Sequence, residues 1–73
     1  MSPRFFFDVS NGEEIISDEA GIEGASLDEV LVEARVVIAE MADDVIEADP
    51  DQQWTMIVRD EAGSALGRLP IKR

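Results

Sequence analysis

The side chains of this chain that could do chemistry are almost all carboxylates. Seventeen Asp and Glu stand against six Lys and Arg, for a formal net charge of −11, and neither Cys nor His occurs among the 73 residues. Without His the commonest general base and metal ligand are missing. Without Cys there is no thiolate nucleophile, disulfide or thiolate metal site. The hydroxyls of Ser2, Ser10, Ser17, Ser26, Ser64 and Thr55 therefore have no imidazole to draw off their protons. Carboxylate pairs abound, but at this acid content adjacency arises by chance, and so short a chain offers little cleft. Asp18 and Glu23 are the loop acids from which a magnesium site would be built, with nothing further in the sequence to support one. The tetrapeptide Asp18-Glu19-Ala20-Gly21 returns as Asp60-Glu61-Ala62-Gly63. Neither copy has the alternating oxygen ligands and distal glutamate of a calcium loop. Both read as one turn used twice, with glycine where φ must be positive. No glycine-rich phosphate loop is present. The expectation is a protein with no catalytic, cofactor or metal site.

The charge bears on partners. It favours solubility and repels nucleic acid and anionic membranes at long range. No apolar run approaches the roughly 20 residues of a membrane span, and the N-terminus lacks a basic region followed by an apolar core. A cytoplasmic location is the expectation. With 45% hydrophobic residues there is material for a core, which argues against disorder. One domain over residues 1–73 is expected, and at that size only about 60–65% of the unfolded surface is buried. Self-association would help so small a domain.

What must position these groups is a helix and short strands around it. Leu27, Leu31, Ala34, Ile38, Met41, Ala42 and Val45 recur at helical spacing and form one stripe. Ser26 followed by Glu29 is a capping-box signature, and Asp49 precedes Pro50, which disfavours helix there. A helix over about 27–48 follows, with Val32 and Val36 outside the stripe. Residues 4–9, with three phenylalanines in a row, are strongly β-prone. Asn11-Gly12 predicts a two-residue hairpin turn that pairs Val9 with Glu14 and Phe7 with Ile16. The second strand then covers 14–18, and residues 18–26 are a loop. Strands three and four are expected at 53–60 and 65–71. A loop over 61–63 would set Met56 opposite Arg68, and one over 61–64 opposite Leu69. The second gathers Trp54, Met56, Val58, Leu69 and Ile71 on one inward face and is preferred. Pro70 marks the last strand as an edge.

The fold class predicted is α+β: ββαββ, a four-stranded antiparallel sheet with one helix on one face. The strand order is 2-1-3-4 by a right-handed crossover, and the alternative is the β-grasp order 2-1-4-3. Alternation then puts Arg4, Phe6, Ile15, Ile57, Arg59, Leu66 and Arg68 on the open face of the sheet, as the candidate interaction face. An ordinary solvated face accounts for that pattern. A homodimer interface with an apolar centre would use it. An RNA platform with Phe6 stacking a base is disfavoured by the net charge.

The opening Pro3-Arg4-Phe5-Phe6-Phe7-Asp8, the turn glycine Gly12, the Asp18-Glu19-Ala20-Gly21 segment, the acid-rich helix and the Asp60 to Gly63 turn resemble a family of small uncharacterised bacterial proteins. That family is common in alphaproteobacteria and is known only as a domain of unknown function. The resemblance covers nearly the whole chain. It implies a fold and a cytoplasmic bacterial setting but no activity. Val32, Val36 and Val37 depart from it, at positions often alanine or charged. A shorter stretch, Gly24-Ala25-Ser26-Leu27-Asp28-Glu29 into Glu33-Ala34-Arg35, is similar to the helix entry of HicB-type antitoxins, which neutralise a basic RNase. The proline-bracketed turn before that helix is absent here. The two functional expectations are a non-catalytic module that self-associates and an acidic inhibitor of a basic protein.

Overall fold

The computed structural model describes residues 3–72; of the residues named above, Ser2 lies outside them. The helix α1 (Leu27–Ala48) begins at Ser26, whose backbone is extended and whose Oγ accepts the Glu29 N–H at 3.3 Å. It ends at Asp49, which leaves the helical region just before Pro50 while its own N–H still reaches the Val45 carbonyl. Val30, Ala34, Ile38 and Ala42 are buried, with Leu27, Leu31, Met41 and Val45 packed beside them. Val32 and Val36 are exposed. Val30, at 1% exposure, corrects the expected stripe, which omitted it. Its burial comes from the loop ahead of the helix. The Gly24 N–H bonds to the Pro3 carbonyl, and Gly24 lies so close to Val30 that a Cβ there would meet Cγ2 at 2.5 Å.

Five strands make the sheet: β1 (Arg4–Ser10), β2 (Ile15–Ile16), β3 (Ile22–Glu23), β4 (Thr55–Asp60) and β5 (Ala65–Pro70). The order is β2-β1-β4-β5, all antiparallel, with β3 also paired to β1. This is the 2-1-3-4 arrangement with one added strand, and Pro70 lies on the edge strand β5. The β-grasp alternative is not adopted, since β1 pairs with β4. Three local expectations change. Residues 18–26 are not all loop, because Ile22 and Glu23 pair with Phe5 and Arg4. The first hairpin register is two residues away from the one expected. Val9 faces Ile16 and Ser10 faces Ile15, because Asn11 does not take the positive φ that a two-residue turn would require; only Gly12 does. Asn11 instead accepts the Glu13 and Glu14 N–H groups on Oδ1, and its own N–H bonds the Glu14 carbonyl, so residues 11–14 form the loop and the second strand shortens.

The last hairpin combines the registers of the three-residue and the four-residue loop. Next to the turn Arg59 faces Ala65, as a loop over 61–63 requires. Beyond an irregularity between Val58 and Arg59, Met56 faces Leu69 as preferred. The extra residue forms a β-bulge. It lets the three-residue turn coexist with an inward set of Met56, Val58 and Ile71 that is buried. Those three, with Phe5 and Val9 from β1 and the helix stripe, are the core.

Candidate interaction face and the apolar groove

On the open face, pairing sets Phe6 beside Arg59, Asp8 beside Ile57 and Ser10 beside Thr55, with Arg68 beside Ile57 from the other side. The centre of this face is an ion pair. Arg59 Nε donates to Asp8 Oδ2 at 2.6 Å, and an Nη of the same guanidinium donates to the Asp18 carbonyl at 3.2 Å. Its charged carbon lies 4.4 Å from the Phe6 ring centroid, within cation–π range. Asp8 is buried, and its other oxygen accepts the Asp18 N–H at 2.9 Å.

Asp18 completes the network. Its Oδ2 accepts the Phe7 N–H at 3.1 Å, and its Oδ1 accepts those of Ala20 and Gly21. The Phe7 donor lies on the edge of β1 between the short strands β2 and β3, where no ladder partner reaches it. Burial pushes the Asp18 carboxyl up, but the three N–H donors and the Arg59 charge outweigh it and hold the pKa below 3.8. Gly21 follows at positive φ and touches the Phe6 ring: a Cβ would meet the ring at 2.8 Å and the Phe5 carbonyl at 2.8 Å. Asp60 serves its turn in the same way, accepting the Ala62 and Ser64 N–H groups, with Gly63 at positive φ. The repeated tetrapeptide is thus one turn device in two settings, the first pressed onto the sheet.

The seven candidate face residues therefore divide. Arg4 and Arg59 are engaged within the molecule, Arg4 with the Ala20 carbonyl and Glu23. Phe6 is covered by Arg59 and Gly21 and is not presented as a stacking platform. Ile57 is half-buried, and Arg68 is exposed. Ile15, 65% exposed, and Leu66, 38% exposed, lie on β2 and β5, the two ends of the sheet path. The two acids considered for magnesium are also occupied, Asp18 by backbone donors and Glu23 by Arg4. Among the described residues no group of three or more carboxylates gathers as a metal ligand set would.

The more coherent apolar surface lies on the other side, at the end of the helix. There Val9, Ile16, Met41, Val45, Ala48 and Trp54 line a groove of about 290 Å³ with Asp44 beside them. Ile16 is 60% exposed. The expected register also turns Ile16 toward the helix, but beside Phe7; the register found moves it beside Val9, where the groove forms with the last helical turns.

The sequence matches the DUF6894 family, described only as a domain of unknown function, over residues 4–72. The chain belongs to this family. No curated protein and no solved structure matches it. In this DUF6894 domain the Asp8–Arg59–Asp18 network serves the fold: it fastens the residue 18–21 turn over Phe6 and closes the exposed edge of β1. Among the described residues no helix is long and apolar enough to cross a membrane.

Proposed function

We propose that this DUF6894 domain is a small non-catalytic binding module whose partner is a basic protein. The carrying observation is where the charges go. Arg4 and Arg59 are engaged by internal partners, and in a chain of net −11 the exposed Arg35, Arg68 and Lys72 are far outnumbered by exposed acids. Exposed acids such as Glu29, Glu33, Glu40 and Asp44 dominate the outer side of the helix, and its last turn has no basic residue. The resulting field draws in a cationic surface and turns away nucleic acid and anionic lipid. Self-association through the open sheet face has less support from the geometry, because its centre is the Asp8–Arg59 pair and its exposed apolar residues are apart. Capture from the protein's own cell extract, followed by titration of each purified captured protein, tests the reading. A basic partner whose affinity falls steeply with salt is the expected result. Binding only to acidic or neutral proteins, insensitive to salt, would refute it.

A further inference from the structure

We infer that the β2 edge and the adjoining groove form one docking site for an extended basic segment carrying a bulky apolar side chain; this rests on the basic-partner reading above. The two edges of the sheet differ. β5 ends in Pro70 followed by Lys72, devices that discourage strand addition. β2 has neither. It is two isoleucines, both exposed, lying at the end of the sheet path. A strand added outside β2 would lie about 4.8 Å from it. Ile16 shares the helix-side face with Val9, its cross-strand partner, so the incoming residue beside Ile16 would project over Met41 and Val45. The groove is apolar where that side chain would rest.

The surroundings select the charge of the occupant. Asp44 lines the groove, and Glu13 and Glu14, both exposed, lead directly into β2. The negative pole of α1 lies at the same end, without a basic residue to offset it. Main-chain pairing with pockets for alternate side chains is the established physics of strand addition. Here the flanking residues of the segment would be Lys or Arg.

The test uses isotope-labelled protein and two pools of short peptides. In one pool Lys and Arg flank an extended core alternating Thr with Leu, Ile, Phe or Trp; in the other Ser replaces the apolar residues. The apolar pool should shift the resonances of Ile16, Val45 and the Trp54 indole. The serine pool should bind about thirtyfold more weakly, the worth of burying one large apolar side chain. Ile16→Asp should abolish the shifts while Val32→Asp leaves them unchanged. Ile16→Thr, which keeps β-branching, should weaken binding without unfolding the strand, with circular dichroism as the control. Equal binding of both pools, or shifts confined to the outer side of α1, would overturn the groove and leave the basic-partner reading standing. No shift with either pool at low salt would overturn both. Concentration-dependent shifts at Ile16 and Trp54 in the protein alone would assign the site to a second copy and overturn the basic occupant.

Discussion

Replacing the two turn glycines by alanine separates the cost of backbone strain from the cost of contact. Gly21 has φ of 70° and Gly63 of 89°, so alanine is strained at both, by about 1–2 kcal/mol. At Gly63 a Cβ meets nothing within 4 Å, and the strain is the whole effect. At Gly21 the same Cβ would lie 2.8 Å from the Phe5 carbonyl and 2.8 Å from the Phe6 ring. Neither neighbour can withdraw freely. Phe5 is paired on both sides, to Ile22 and Asp60, and Phe6 lies against the Arg59 guanidinium. Overpacking of this kind adds about 1–3 kcal/mol. Gly21→Ala should therefore cost about 2–5 kcal/mol in all, a large share of the roughly 4–11 kcal/mol expected for a domain of this size. Gly63→Ala should cost only the strain. Urea unfolding followed by far-ultraviolet circular dichroism measures both, provided the slope against denaturant is unchanged. If Gly21→Ala were no worse than Gly63→Ala, the residue 18–21 turn would not be seated on the sheet. A neutral Gly63→Ala would remove the three-residue turn, and with it the reason for the bulge.

Arg59→Met should destabilise by about 2–3 kcal/mol, because the Asp8 carboxylate stays buried with the Asp18 N–H as its remaining donor; adding Asp8→Leu should recover most of that loss in the same urea assay. The Asp18 carboxyl has a depressed pKa in the folded protein, so it contributes stability above its unfolded value, and that contribution is lost as pH falls through the folded value. Asp18→Asn should lower stability at neutral pH and flatten the acid-side decline below about pH 4, as read from urea midpoints across pH. An unchanged profile would mean that the Phe7, Ala20 and Gly21 donors do not hold this carboxylate. Raising sodium chloride to about 1 M, where the screening length is about 3 Å, should raise the melting temperature, since net charge of −11 and an acidic helix end oppose folding. A flat or falling melting curve would contradict that.

The features legible in the chain alone are those governed by groups a few residues apart. Ser26 and Pro50 bracket the helix as found, since a cap acts across three residues and a proline on the residue before it. Asp18 and Asp60 each accept N–H groups two to four residues on, so the paired turns and their glycines were legible. Pro70 marked the edge strand because a missing donor is a local fact. The inward set on β4 and β5 followed from alternation alone, even though the turn and the strands sit in different registers.

The rest depends on distant partners that meet only in the folded chain. Strand β3 is too short to show any alternation and exists because β1 offers it a ladder. Val30 is buried by Gly24, which the Pro3 carbonyl holds in place. Phe6 alternates like a surface residue, yet it is covered because Arg59 reaches Asp8 across 51 positions of chain and the residue 18–21 turn folds down onto both. The hairpin register at β2, and so the groove, turned on whether Asn11 takes a positive φ or uses its side chain to bind Glu13 and Glu14. Asn11-Gly12 permits either by local preference. The resulting packing, with Ile16 alongside Met41 and Val45, exists only once the helix and the sheet have met.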